Sequence, residues 1–137
     1  MNLKQIKTLL SLGENQRVEF KSSIRNLEEL GRTVCGFLNS AGGYLICGVS
    51  ESEGVIGIEN SHDAVTKLER YLLEHISPKA FVAVQAEELD KKLVISIEVP
   101  AGSDVPYAFK DVIYIRTGEL TQVAKSQTIR EIGRAHV

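Results

Sequence analysis

The sequence of 137 residues contains no tryptophan and few residues of several other informative types: two cysteines, three prolines and 6% aromatic residues. With two cysteines and no CxxC pair, a disulfide framework is excluded, and we expect Cys35 and Cys47 to be buried and reduced. No run of about 18 apolar residues occurs, so no membrane association is predicted. The opening residues also lack the apolar run of a secretory signal, and we expect a cytoplasmic protein.

The chain also lacks a basic excess. Its 16 lysine and arginine residues stand against 18 acidic ones, which gives a formal net charge of −2. Proteins that bind nucleic acid usually carry excess positive charge, because cations that neutralise phosphates release counterions. Any nucleic-acid site must therefore be a local patch. Hydrophobic residues at 43% and charged residues at 25% are ordinary globular values, and the length suits one domain with a substantial core.

The spacing of apolar residues predicts the order of the structural elements. Recurrence at every third or fourth position predicts helices over residues 3–10, 26–41, 62–75 and 121–132, the second capped by Asn26. Apolar runs predict strands over residues 17–22, 44–49, 55–58, 81–84, 93–99, 107–110 and 112–116. Several hairpins and few crossovers favour an α+β fold, with helices packed on a mixed, mostly antiparallel sheet. We expect one domain over residues 1–132 and interpret residues 133–137 as an expression-derived tail.

A series of short motifs carries more information than any one of them. They are Glu14, Val18-Glu19-Phe20-Lys21, Phe37-Leu38-Asn39-Ser40-Ala41-Gly42-Gly43, Ile46-Cys47-Gly48-Val49, Gly54-Val55-Ile56-Gly57-Ile58 and Tyr114-Ile115-Arg116-Thr117-Gly118. In this order the motifs resemble the Schlafen-type AlbA domain over about residues 14–125. The resemblance implies a DNA-binding domain at the start of a bacterial or archaeal transcriptional regulator. It also implies a downstream effector domain that this chain does not contain.

Three acidic residues suggest an alternative activity through the same resemblance. In the vertebrate Schlafen branch an acidic trio cleaves RNA with a divalent metal, and Glu14, Glu19 and Glu51 match that trio by motif. Their carboxylate oxygens would suit Mg²⁺ or Mn²⁺. The match at Glu51 is imperfect, because the family commonly has aspartate after its Gly-Val pair. The alternative interpretation is that Glu14 and Glu51 are solvated and Glu19 pairs with Lys21 or Arg17.

The segment Arg116-Thr117-Gly118 is the better candidate for binding phosphate. A guanidinium at a strand end can hold a phosphate bidentately, and the following hydroxyl and glycine can assist it. The alternative is that Arg116 pairs with Glu19 or Glu98. If the first and last strands are neighbours, four cations would form one basic patch: Lys21, Arg25, Lys110 and Arg116.

The glycine pair Gly42-Gly43 after Asn39 is a second place where backbone N–H groups could approach an anion. The surrounding sequence matches neither GxxxxGK[ST] nor GxGxxG, so the motifs do not support ATP as a ligand. Turn and packing roles for the glycines are the alternative, and Asn39 either bonds local backbone groups or faces a ligand.

The predicted partner is therefore nucleic acid, with DNA expected, and binding is predicted to require no cofactor. Mg²⁺ or Mn²⁺ would be needed only for the nuclease alternative. A third hypothesis is a protein-interaction or dimerisation module that uses the sheet and hairpins, so a homo-oligomer remains open.

Overall fold

A computed structural model describes residues 1–59 and 61–134, apart from the side chains of residues 61, 62 and 134. Residues 135–137 of the predicted tail lie outside the described residues. The helices are α1 (Leu3–Leu12), α2 (Leu27–Leu38), α3 (Ser61–His75) and α4 (Ser126–Arg134). The strands are β1 (Val18–Lys21), β2 (Gly43–Cys47), β3 (Val49–Ser50), β4 (Gly54–Val55), β5 (Ile76–Ser77), β6 (Ala83–Leu89), β7 (Lys92–Val99), β8 (Ala108–Phe109), β9 (Tyr114–Thr117) and β10 (Leu120–Val123).

A four-stranded sheet with the order β1-β2-β7-β6 forms the centre of the domain. β1 runs parallel to β2, whereas the β2–β7 and β6–β7 pairs are antiparallel. The prediction of an α+β fold with a mixed, mostly antiparallel sheet is thus confirmed. In this register Tyr44 on β2 lies opposite Glu98 on β7, and Cys47 lies opposite Ile95. Residues 17 and 44 therefore lie at one end of the sheet, and residues 21 and 92 lie at the other.

Both faces of the sheet are buried, because β2 alternates apolar side chains between two cores. Leu45 and Cys47 belong to the larger core, which α2 and α3 cover. Ile46 belongs to a smaller core with Val18 and Phe20 of β1, and Ile6 of α1 closes it. This double coverage explains why β2 is an almost continuous apolar run.

Helix α2 is buried on nearly every side, because it packs between the sheet and the β8–β9–β10 segment. Two glycines permit the close approach of that segment. A Cβ built on Gly31 would lie 2.2 Å from the Phe109 ring, and one on Gly36 would lie 3.1 Å from Thr121. The helix begins as predicted, since the Asn26 side chain accepts a hydrogen bond from the Glu29 N–H at 3.1 Å.

Several predicted elements differ from the structure. The strand predicted over residues 44–49 divides at Gly48 into β2 and β3, and the helix predicted over residues 26–41 ends at Leu38. Two further differences are larger. The expected helix over residues 121–132 starts only at Ser126, because residues 120–123 form β10 and pair with β9 across a turn at Gly118. The strand predicted over residues 81–84 runs from Ala83 to Leu89 and reaches a tight turn at Asp90 and Lys91, which both have positive φ. Among the described residues, no helix has both the length and the apolar character needed to cross a membrane.

Candidate nucleic-acid interface

Arg116 on β9 is the most completely bonded side chain of the predicted site. Its side chain is 0% exposed, and its Nη1 lies 2.6 Å from Glu19 Oε1. The guanidinium makes five hydrogen bonds, the number of its N–H groups. The remaining acceptors are Gln16 O (3.1 Å), Asn15 O (3.0 Å), Thr121 Oγ1 (3.3 Å) and Val18 O (3.5 Å). The guanidinium carbon also lies 4.8 Å from the centroid of the Phe37 ring.

This burial corrects the expectation that Arg116 contacts a phosphate. Each N–H group already has an acceptor inside the domain, so a phosphate would have to displace an internal partner. The structure instead agrees with the alternative interpretation, because Arg116 forms an ion pair with Glu19. Arg116 therefore has a structural role. Its side chain links β9 to β1 and to the backbone of residues 15 and 16, which precede β1.

The ion pair extends from Glu19 along the edge of α2. Lys21 Nζ lies 2.8 Å from Glu19 Oε2 and also bonds Glu29 in the first turn of the helix. Burial alone would lower the pKa of the Lys21 ammonium, but the hydrogen bonds to Glu19 and Glu29 outweigh it and raise that pKa. Lys21 is thus held as a cation by two carboxylates, and its charge is already compensated.

Lys110 and Arg25 occupy places apart from this chain of ion pairs. Lys110 Nζ lies 2.8 Å from Glu28 Oε1, and it stands 5.7 Å from the centroid of the Tyr71 ring. Arg25 is exposed, and it forms no ion pair within the part of the chain that the structure describes. The predicted patch of Lys21, Arg25, Lys110 and Arg116 is therefore divided, because acidic residues of β1 and α2 neutralise three of its four members.

Asn39 is also buried and turned inward. Its Nδ2 donates to Tyr107 O at 2.9 Å and to Tyr114 O at 2.7 Å, while its Oδ1 accepts from the Tyr107 N–H at 2.7 Å. Of the two interpretations of this residue, local backbone bonding is the one observed. The expectation that Asn39 contacts nucleic acid is therefore corrected. Its side-chain amide links two parts of the backbone, at Tyr107 before β8 and at Tyr114 on β9, and it does not face a ligand.

The glycine pair fills space between backbone segments. Gly42 has φ +79°, and a Cβ there would lie 2.6 Å from Val99 O. A Cβ on Gly43 would lie 2.6 Å from the Phe37 ring. Both glycines are buried, and the Gly42 N–H donates to Phe37 O at 3.0 Å. The pair therefore has the turn and packing role, which corrects the expectation that it approaches a phosphate.

Thr117 and Gly118 lie on the exposed turn between β9 and β10. Thr117 Oγ1 accepts a hydrogen bond from Gln122 Nε2 at 3.1 Å, and Gly118 has φ +58° with no neighbour near its Cβ position. These residues remain accessible, although the arginine beside them is buried. Their role in binding stays a prediction.

The acidic trio is close enough for its charges to interact. Glu51 Oε1 accepts from the Glu14 N–H at 2.8 Å, and Glu14 Oε2 accepts from the Phe20 N–H at 3.2 Å. Burial raises the pKa of the Glu14 carboxyl above 4.5, and the charges of Glu19 and Glu51 add to that rise, while the Phe20 N–H opposes it. Nevertheless, no group of three or more His, Cys, Asp or Glu side chains within residues 1–59 and 61–134 is arranged to hold a metal ion. The catalytic and metal roles of the trio stay predictions.

An open groove lies at the end of the sheet where β1 and β2 finish. It measures about 830 Å³ and is lined by residues 22–25, 56–59 and 91–93. Arg25, Lys91 and Lys92 supply its positive charge, and Glu59 is the one carboxylate among these lining residues. We define residues 22–25, 56–59 and 91–93 as the basic groove.

The sequence pattern did not predict that Lys91 and Lys92 line a candidate binding site. Lys91 lies in the tight turn between β6 and β7, and Lys92 begins β7. What the pattern does not reveal is that the β6–β7 hairpin brings Lys91 and Lys92 beside Arg25, more than sixty positions earlier in the sequence. The two consecutive lysines were the available signal.

The sequence model of the Schlafen, AlbA_2 family matches residues 14–125, and the chain belongs to this family. The curated "Uncharacterized ATP-binding protein UU034" of Ureaplasma parvum is 40% identical over 52 residues, which is 36% of this chain and 15% of that protein. The solved DIP2311 protein of Corynebacterium diphtheriae has a TM-score of 0.73 at 20% identity, over 98% of this chain and 32% of that chain.

A second solved structure is the N-terminal domain of a protein from Nitrosomonas europaea that is related to the ATP-dependent DNA helicase RecG. It has a TM-score of 0.57 at 21% identity, over 72% of this chain and 70% of that chain. At these identities the two solved structures show the shared fold. The chain spans only a small part of UU034 and about a third of DIP2311.

Proposed function

We propose that this domain binds nucleic acid, with DNA as the expected partner, and serves as the DNA-binding part of a transcriptional regulator. The observation that carries the proposal is the basic groove. On a chain of net charge −2, it gathers Arg25, Lys91 and Lys92 around an open cleft with one carboxylate, Glu59. Such a local concentration of positive charge attracts a polyanion even when the whole protein is mildly acidic.

The groove has the groups that a phosphate backbone needs. The Arg25 guanidinium can hold a phosphate through two parallel hydrogen bonds, while lysine ammonium groups act as point charges. The Ser22 and Ser23 side chains offer hydroxyl donors beside it. These groups recognise phosphate and carry no sequence information by themselves, so we expect binding that positions the domain without reading many bases.

The comparisons support this proposal from a different direction. The chain belongs to the Schlafen, AlbA_2 family, and resemblance to this family implies DNA binding and transcriptional regulation. One of the similar solved structures is the N-terminal domain of a protein related to a DNA helicase. In a regulator of this design the present domain would contact DNA in the cytoplasm, and a downstream domain would supply the effector function. Binding through the basic groove requires no cofactor.

The test is a titration of labelled duplex DNA across a salt series. The variant Arg25→Ala/Lys91→Ala removes two groove cations, and Lys125→Ala is the matched control because this exposed lysine lies outside the groove. We expect affinity to fall with salt and the slope of log K against log salt to decrease by about one for each phosphate-contacting residue removed. Binding that is equally strong in the double variant and in the control would contradict the proposal.

The same samples test the two alternative functions. Cleavage of RNA that requires Mg²⁺ or Mn²⁺, stops with chelator and is lost in Glu51→Gln would favour the metal-dependent nuclease. Glu51 is the best trio member for this purpose, because it is exposed while Glu19 belongs to the buried ion pair. A concentration-dependent dimer without affinity for DNA or RNA would instead favour the protein-interaction module.

A further inference from the structure

A second surface with unusual chemistry lies at the opposite end of the sheet from the basic groove. It consists of three neighbouring depressions of about 480, 260 and 540 Å³, of which the first lies at that end of the sheet and the third runs along α1. Tyr44 lines both the first and the second, and Lys4 lines both the second and the third. We call Lys4, Lys7, Arg17, Tyr44 and Phe81 the aromatic-basic surface.

Phe81 is the most exposed large apolar side chain of this surface, at 97%. Its neighbours in sequence, Ala80 and Val82, pack against the larger core, so the chain is anchored on both sides of the exposed ring. An aromatic ring held in water in this way gains nothing for the fold, since its apolar area stays hydrated. The whole ring face is therefore accessible to another molecule.

The charges along this surface indicate the kind of molecule that it binds. Arg17 lines the same depression as Phe81, whereas Lys4 and Lys7 line the neighbouring ones. Arg17, Lys4 and Lys7 are exposed and form no ion pair within the described ranges of the chain. Glu98 is the one carboxylate among the residues that line the three depressions, and the terminal ammonium of Met1 lies 3.8 Å from it. The surface thus combines aromatic rings with positive charge that carboxylates leave uncompensated.

We propose that the aromatic-basic surface binds single-stranded nucleic acid, with an unpaired base stacked on Phe81 and phosphates held by Arg17 and the α1 lysines. Aromatic side chains in a positive groove are the common means of holding single strands, because every base offers a flat face. A duplex hides those faces inside its stack and cannot use the ring. This inference goes beyond the proposed function, because it concerns a second surface and names an unpaired strand as the ligand of that surface.

The first test compares single-stranded and duplex oligonucleotides of one sequence. We expect Phe81→Ala to weaken single-strand binding by about 5- to 100-fold, the range for loss of one stacked base, and to leave duplex binding unchanged. Leu73→Ala is the matched control, because Leu73 is also exposed but lies on α3, away from the predicted binding residues. Equal single-strand affinity for Phe81→Ala and the control would overturn the inference.

A second test reads stacking directly, because the chain contains no tryptophan. Phe81→Trp introduces a single indole that keeps an aromatic face at the site. We expect its fluorescence to be quenched by a single strand and not by an abasic strand with the same phosphates. The control is Leu73→Trp, at an exposed position on α3, whose fluorescence should not respond to either strand. Equal quenching of the two variants would also overturn the inference.

These measurements separate failure of this inference from failure of the proposed function. If Arg25→Ala/Lys91→Ala weakens duplex binding while Phe81→Ala leaves single-strand binding intact, only the stacking inference fails. If neither duplex nor single strand binds, both proposals fail. If Phe81→Ala changes only the mass measured in solution, the surface joins two copies of the chain and the inference is overturned.

Discussion

Replacing Arg116 by alanine should destabilise the domain, because the substitution removes one partner of a buried ion pair. Such a removal costs about 3–5 kcal/mol, since the other charge stays desolvated. Here Lys21 would still lie 2.8 Å from Glu19 and compensate part of its charge. We therefore expect a loss near the lower end, about 3 kcal/mol in the free energy of unfolding. Out of a typical total of about 5–15 kcal/mol, this leaves a folded but weakened protein.

The assay is urea unfolding followed by circular dichroism. With a typical dependence of about 1–3 kcal/mol per molar urea, the midpoint should fall by about 1–3 M, and Tm by about 10 °C. Arg116→Lys should recover only part of the loss, because an ammonium keeps the charge but lacks the five donors of the guanidinium. Arg25→Ala, at an exposed arginine, is the matched control and should change stability by about 0.5 kcal/mol or less.

The opposite pattern would refute this reasoning. If Arg116→Ala kept its unfolding free energy within about 1 kcal/mol of the native chain and lost nucleic-acid affinity, the guanidinium would act at the surface. Binding must be scored per folded molecule, so the titration is performed below the unfolding transition of each variant. On the structural assignment, Arg116→Ala that remains folded binds DNA like the native chain, whereas Arg25→Ala does not.

Three further predictions concern pH, thiols and packing. Because burial raises the pKa of Glu14, the folded chain binds a proton more tightly there than the unfolded chain, so Glu14→Gln should gain stability at neutral pH. In urea melts this gain should shrink as pH falls toward 4.5. Burial raises the pKa of Cys35 to about 11 and of Cys47 to about 12, so a thiol reagent at pH 8 should label both only after unfolding. Gly43→Ala should cost about 1–3 kcal/mol by calorimetry, because its Cβ would meet the Phe37 ring at 2.6 Å.

The elements that the sequence predicts well are those whose signals are local. Asn26 and the acidic residues Glu28 and Glu29 that follow it mark the start of α2. The apolar stripe of that helix shows which of its faces packs on the core. β2 is recognisable because burial on both faces leaves an uninterrupted apolar run. From such elements the fold class and the mixed sheet follow, since few connections are long enough to be crossovers.

β10 was missed because its stability comes from outside its own residues. Leu120 and Val123 are 66% and 60% exposed, so the strand lacks the alternation of a half-buried segment. It forms because it pairs with β9 and because Thr121 lies against Gly36 of α2. The glycine at position 118, between two short β-prone segments, was the only local sign of a hairpin.

The candidate site was harder to predict than the fold, for a related reason. The sequence shows which residues are charged, but the partner of a charge depends on topology. Arg116 and Glu19 are 97 positions apart, and the burial of that pair depends on how β9 packs on α2 and β1. The motif Arg116-Thr117-Gly118 thus identified an important residue but left two partners open, a phosphate and a carboxylate, and the structure contains the pair with Glu19.

The pairing of charges explains how a chain of net charge −2 can offer the two surfaces proposed here. Carboxylates of β1 and α2 neutralise the cations that hold the fold together, whereas the cations of the basic groove and the aromatic-basic surface form no ion pair within the described residues. Lys92 of the basic groove and Glu98 beside the aromatic-basic surface lie near opposite ends of β7, about 20 Å apart. That distance exceeds the Debye length of about 8 Å in physiological salt, so charges at one end of β7 are largely screened from those at the other. With about three cations each, the binding at either surface should be moderate in strength and should weaken steeply with added salt.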